Sequence, residues 1–145
     1  MDNFAIKFIE HTLNKKDEND LSMNDAIQTI YDYDEEIELT WGNEKVNLYV
    51  KGDVSVSWLD IIRMIENLGS REDFYMHWPS ESFWVTWKFI VNGDSFKIET
   101  IGSKNIPMIE VSKKQFISEW DSFIAKINKD LIKQGYDLSK LDLYP

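Results

Sequence analysis

Residues 83–101 read FWVTWKFIV, then NGD, then SFKIETI, with apolar and polar residues alternating on both sides of the break. A period of two places successive side chains on opposite faces of a strand, and Asn-Gly is a strong hairpin signal because a type I′ turn needs positive φ at both central residues. With Asn92-Gly93 as that turn, Phe89 is expected opposite Phe96, Trp87 opposite Ile98 and Val85 opposite Thr100 on an apolar face. Lys88, Thr86 and Trp84 then oppose Lys97, Glu99 and Ile101 on a mixed face. A one-residue slip would turn the apolar set outward, so the pattern selects the core face. A second hairpin follows the same rule. Ile37, Leu39 and Trp41 alternate with Glu36, Glu38 and Thr40, and Gly42-Asn43 as the turn sets Leu39 opposite Val46 and Ile37 opposite Leu48.

Helical spacing governs three other stretches. Ser22 with Asp25 caps a short run in which Met23, Ala26, Ile27, Ile30 and Tyr31 share one face. Ser57 with Asp60 opens a second, apolar over a wide arc from Leu59 to Leu68 and ended by Gly69. Ser112 with Gln115 opens the longest, with Phe116, Trp120, Phe123, Ile124, Ile127 and Leu131 as its stripe, lysines at 126, 129 and 133 toward its C-terminal end, and Gly135 just past that end. Residues 3–13 fit both periods; Ala5, Phe8, Ile9, Thr12 and Leu13 favour a helix, against an alternation of Phe4, Ile6 and Phe8. The charged run 14–20 reads as a loop. Further strands are expected at 73–78, closed by Pro79-Ser80, and at 106–111. Tyr136, Leu138, Leu141, Leu143 and Tyr144 give the last residues enough apolar surface to dock. The whole predicts an α+β domain spanning 1–145: an antiparallel meander of about five strands with three to four helices packed on it as a two-layer sandwich.

Composition changes this picture little. Six Trp, six Tyr and eight Phe in 145 residues supply a large buried payload, and the absence of cysteine excludes disulfides, thiolate metal ligands and a cysteine nucleophile. The opening MDNFAIKFIEH carries neither a signal-peptide pattern nor a spanning run, so a cytoplasmic protein is expected. Charge is more informative. The net is −10, and residues 1–60 hold 14 acids and 5 bases against 12 and 11 in the rest. A negative field concentrated in this way repels nucleic acid and anionic membranes and attracts basic partners.

Catalytic signatures are weak. His11 and His77 are the two histidines, and neither has a second histidine at metal-ligand spacing. The six glycines are scattered, which excludes a phosphate-cradling loop, and there is no G-x-S-x-G elbow. The acids around Asp34 lack the central glycine and distal glutamate of a calcium loop. No enzyme, cofactor or metal is therefore expected. The remaining candidate is a recognition surface: Tyr31, Asp32, Tyr33, Asp34, Glu35, Glu36 and Glu38 combine aromatic rings with carboxylates that accept bidentate arginine contacts. Tyr75 and Trp84 are added as aromatic anchors, Trp84 because it falls on the non-core face of its hairpin, where a helix or the C-terminal tail is the alternative cover. The competing readings are that the acids serve solubility alone, or that the aromatics line a small-molecule pocket in a binding or regulatory domain.

The opening Phe4-Ala5-Ile6, then Phe8-Ile9-Glu10-His11 and an acidic loop, resembles the start of small cytoplasmic immunity proteins from bacterial contact-dependent growth inhibition and related polymorphic toxin systems. Trp-rich strands and a Ser-Lys-Lys-Gln-Phe-Ile-Ser-Glu-Trp segment entering a long final helix are similar in layout. The resemblance implies a non-enzymatic protein that binds and neutralises a cognate toxin domain, expected here to be a basic, nuclease-type one. It implies no particular binding residues, because the contact positions of such proteins vary with the toxin.

Overall fold

The computed structural model describes residues 1–9, 12–102 and 104–143, so His11 and Tyr144 lie outside the described residues. Its strands form two antiparallel sheets. The first contains β1 (Phe4–Phe8), β2 (Glu36–Trp41) and β3 (Glu44–Tyr49) in that order, and the second contains β4 (Phe74–Ser80), β5 (Phe83–Asn92), β6 (Ser95–Gly102) and β7 (Ile109–Ser112). Among the described residues the α-helices are α1 (Met23–Ile30), α2 (Trp58–Asn67) and α3 (Lys113–Lys133), with a π-turn at Val50–Val54 and a 3-10 turn at Leu138–Lys140. The fold is thus α+β and antiparallel as expected, with seven described strands divided between two sheets.

The β2–β3 register is the expected one, with Leu39 opposite Val46 and Ile37 opposite Leu48. The β5–β6 register differs from expectation by two residues: Asn92 opposes Ser95, Phe89 opposes Ile98 and Trp87 opposes Thr100. The central turn residues are Gly93-Asp94, and Gly93 alone of the turn has positive φ, at 59°. That is the pattern of a type II′ turn, which needs glycine only at its first central position and spares Asn92 a left-handed conformation. The shift also replaces the expected Lys88–Lys97 like-charge pair by Lys88 opposite Glu99. Because two is the side-chain period, every residue keeps its expected face.

Residues 3–13 are the clearest correction: the alternation of Phe4, Ile6 and Phe8 prevails over the helical spacing, and β1 pairs with β2. The reason lies far along the chain. On the free edge of β1, Gln115 Nε2 donates to the Phe4 carbonyl at 2.8 Å and the Ile6 amide donates to Glu119 Oε1 at 2.9 Å, so α3 caps a strand edge that would otherwise be bare. Asp2 joins the sheets, its amide donating to the Glu110 carbonyl and its carboxylate accepting from the Glu110 amide, both at 2.8 Å. Pro79 and Ser80 continue β4 instead of closing it, opposite Trp84 and Phe83. As β4 is an edge strand, the missing N–H costs no ladder bond. Only the second half of the expected 106–111 strand forms, as β7.

The inner faces of both sheets and one face of α3 share an aromatic core. Trp41 and Trp87 bridge the sheets at 5.0 Å between ring centroids, Phe4 meets Phe116 at 4.5 Å, and Trp78 and Trp87 pack edge-to-face at 5.1 Å. Ser22 and Ser112 cap α1 and α3 through their hydroxyls, whereas Ser57 makes no side-chain cap bond and Gln115 is spent on β1. Gly135, at φ 97°, ends α3 in a Schellman motif: its amide donates to Ile132 and that of Tyr136 to Leu131. The last described residues dock, with Leu138 and Leu141 against the core and the Asp142 backbone bonded to Leu21 and Met23. Among the described residues no helix is long and apolar enough to cross a membrane.

Candidate partner-binding surface

The segment 31–38 links α1 to β2, and the structure divides its residues into anchors and exposed groups. Tyr31 was expected at the contact surface but is fully buried, its hydroxyl donating to Asp130 Oδ2 on α3 at 2.7 Å. Burial, reinforced by the Asp130 carboxylate and by Glu35, pushes the Tyr31 phenol well above the usual tyrosine range. Lys126 completes this site, donating to the other Asp130 oxygen at 2.8 Å. Glu35, also expected at the surface, is only 2% exposed. Its backbone carbonyl accepts from Val50, its amide donates to Asp32, and its side chain accepts from the Asp32 amide. Both corrections have one cause: the segment is a turn whose inward positions are set by partners on other elements, not by alternation.

Between and beyond these anchors stand the groups that reach solvent. Asp32, Tyr33, Asp34 and Glu36 are exposed and Glu38 is half-exposed. Asp32 accepts from Asn14 Nδ2 at 2.9 Å, and Glu38 pairs with Lys45 across β2–β3 at 3.5 Å. Tyr33 is 81% exposed, and the ammonium of Lys51 lies 4.0 Å from its ring centroid. Lys51 belongs to the π-turn. Asp53 holds that turn: its buried carboxylate accepts from the Tyr49 amide at 2.8 Å, from the Ser80 hydroxyl at 2.7 Å and from the Ser82 hydroxyl. Nothing local in the sequence marks Asp53, since two of its partners lie on the β4–β5 hairpin.

Tyr75 and Trp84 are exposed as expected, at 55% and 63%, but on the outer face of the second sheet. Tyr75 opposes Lys88, itself opposite Glu99, and the next row sets His77 against Thr86 and Ile101. The Tyr75 and His77 rings are parallel within 4° at 6.4 Å, and His77 Nδ1 lies 2.7 Å from Thr86 Oγ1, which gives His77 a hydrogen-bonded surface role. This face mixes two lysines with its acids, in contrast to the acid-dominated turn. Asp60 on α2 lies near it; burial raises its carboxyl above the usual range, partly offset by Arg63 and His77.

Among the described residues no three His, Asp or Glu side chains form a group that could hold a metal ion. Surface pockets of about 380 Å³ beside Asp20 and Tyr136, and about 300 Å³ between Phe8 and Phe123, open to solvent, while the aromatic interior is occupied by ring-to-ring contacts. What the surface offers is thus an anchored turn carrying carboxylates and an outward tyrosine, apart from an aromatic sheet face of mixed charge. No protein-family model matches the chain, and neither a curated protein nor a solved structure matches it.

Proposed function

We propose that the chain is a cytoplasmic immunity protein that binds and neutralises a cognate basic toxin domain, of nuclease type, through the acidic turn. The observation that carries this reading is the display of Asp32, Tyr33 and Asp34 between two buried anchors, Tyr31 and Glu35, with Glu36 just beyond the second. Carboxylates presented without prior ordering cost lose less on association, and a concentrated negative field speeds encounter with a cationic surface. The same charge would compete with nucleic acid for a nuclease's substrate path. The likeness of the opening residues to immunity proteins of polymorphic toxin systems supports the same class. A small-molecule-binding or regulatory role has less support, because the aromatic rings fill the described interior instead of lining a cavity.

The test is co-purification with the product of the gene immediately upstream, at low and high salt. Capture of a basic, toxic domain that associates more slowly as salt rises, and is lost in the combined Asp32→Asn, Asp34→Asn, Glu36→Gln, Glu38→Gln variant, is the expected result. Failure to capture a toxin-like partner at any salt overturns the reading.

A further inference from the structure

Tyr33 is an anomaly in a chain that buries most of its rings: it sits on a turn held from both sides and yet is 81% exposed. The buried Tyr31 lies two residues before it and the buried Glu35 two residues after it, so the outward position of the ring is built in. Among the described residues no other aromatic ring packs against it, and the Lys51 ammonium lies 4.0 Å from its centroid. Lys51 is itself placed precisely, on the π-turn that the buried Asp53 ties to Tyr49, Ser80 and Ser82. The Lys51 carbonyl also accepts from the Ser55 hydroxyl. Two anchored turns, joined by the bond from the Val50 amide to the Glu35 carbonyl, therefore put a cation on an exposed aromatic face, beside the carboxylates of Asp32, Asp34 and Glu36.

We propose that Tyr33 is the docking platform for an arginine of the basic partner, and that Lys51 occupies this place in the free protein and yields it on binding. The inference rests on the acidic-turn reading and names the group that the turn receives. A guanidinium suits the site better than an ammonium. It is planar, less strongly hydrated, stacks on an aromatic face and offers a donor fork to neighbouring carboxylates, whereas Lys51 supplies a point charge. The resident lysine preserves the platform and disfavours weaker cationic competitors, at the cost of part of the affinity. Exchanging one cation for another on the ring also limits the net gain, so selectivity for arginine over lysine is the signature of the site.

The experiment is an NMR titration of the full chain with a hexa-arginine peptide and, in parallel, a hexa-lysine peptide at matched low ionic strength. Tyr33 ring resonances are expected to move with hexa-arginine and to move less with hexa-lysine. Lys51→Met is expected to tighten hexa-arginine binding about two- to fivefold. Lys129→Met removes the same charge from an exposed position on α3 and measures the general electrostatic gain, which the Lys51→Met effect must exceed. Tyr33→Leu should abolish the preference for arginine while leaving weak, salt-sensitive binding to the acids. The proposal is overturned if hexa-arginine does not bind, if it binds without moving the Tyr33 ring, or if Lys51→Met gains no more than Lys129→Met. Because the peptides replace the toxin, these outcomes are independent of co-purification: a captured toxin with a silent Tyr33 refutes the platform alone, and an arginine-selective ring without a captured toxin refutes the immunity reading alone.

Discussion

The acidic turn and the outer face of the four-stranded sheet both leave aromatic rings in water, but they hold them by different means. In the turn, a single ring is positioned by polar bonds that fix the residues around it: the Tyr31 hydroxyl to Asp130, the Glu35 side chain to the Asp32 amide and its carbonyl to the Val50 amide, and the Asp53 carboxylate to two serines. On the sheet, Tyr75 and Trp84 are positioned by the β4–β5 ladder, and the neighbouring charges Lys88 and Glu99 offset one another. The comparison separates display from charge. The turn presents an excess of carboxylates from a few fixed points, whereas the sheet presents apolar area on a regular, nearly balanced surface. A long-range field comes from the first, and area for close contact from the second.

The largest effect is expected on the sheet side, at Gly102. Its φ is +140°, and a Cβ there would lie 2.8 Å from the Trp84 carbonyl oxygen and 3.1 Å from Val85 Cα, both backbone atoms that cannot swing aside. Gly102→Ala combines a disfavoured backbone with overpacking between β5 and β6, and should destabilise the protein by about 3 kcal/mol. Urea unfolding measures this. If the two regions are held separately, amide exchange will accelerate in β5 and β6 before it does in residues 31–38.

Next in size is Tyr31→Phe. The variant keeps the ring in place but leaves Asp130 Oδ2 without its donor while Lys126 still holds Oδ1, at a cost of about 1–2 kcal/mol near neutral pH. It should also change the alkaline limb of stability. The Tyr31 phenol ionises above the unfolded value of 10.0. Between these two values the unfolded chain has released a proton that the folded chain retains, so stability falls as pH rises, by up to about 1.4 kcal/mol per pH unit for one group. Tyr136, bonded to Asp20 and pushed up to about 12, adds to the fall between pH 10 and 12. Tyr31→Phe should therefore flatten the limb without removing it. An unchanged alkaline slope would show that Tyr31 is not the ionising anchor.

These anchors also explain how far the amino-acid order was readable. Ile37, Leu39, Val46 and Leu48 declare the β2–β3 pairing because alternation and turn length agree. At β5–β6 the same alternation was read correctly for faces, but Asn-Gly pointed to a type I′ turn where glycine serves as the first residue of a type II′ turn. β1 was misread because the groups that make it a covered edge strand, Gln115 and Glu119, lie 111 and 113 residues away. The site suffered more than the fold. Asp32, Tyr33, Asp34, Glu36, Tyr75 and Trp84 are exposed as expected, but Tyr31 and Glu35 were not separable from them in a run of alternating tyrosines and acids. Their burial depends on Asp130 and on the π-turn, neither of which has a local pattern.

The third prediction concerns the carboxylates themselves. The paired changes Asp34→Asn and Glu36→Gln touch exposed side chains with no recorded ion-pair partner among the described residues, so stability should stay within about 0.5 kcal/mol of the parent. Their expected effect is on association: a lower on-rate toward a cationic partner and a shallower dependence on salt, measured by stopped-flow at several ionic strengths. If stability dropped by more than 1 kcal/mol, the acids would be structural and the division between anchors and displayed groups would fail.

Trp84→Ala should have the smallest effect on the folded protein, and it sharpens the comparison for that reason. Trp84 lies opposite Pro79 near the turn end of the β4–β5 ladder and is 63% exposed, so most of the residue faces solvent. Truncation should change stability by no more than about 0.5 kcal/mol. If the sheet face also meets the partner, the loss will appear as faster dissociation with an unchanged salt slope, because a ring contributes contact area and no net charge. If the acidic turn acts alone, neither rate will change. The combination of Asp34→Asn, Glu36→Gln with Trp84→Ala then distinguishes one surface from two: separate effects on association and dissociation that add in free energy place the two regions in one interface without direct coupling, as their positions on different sheets require.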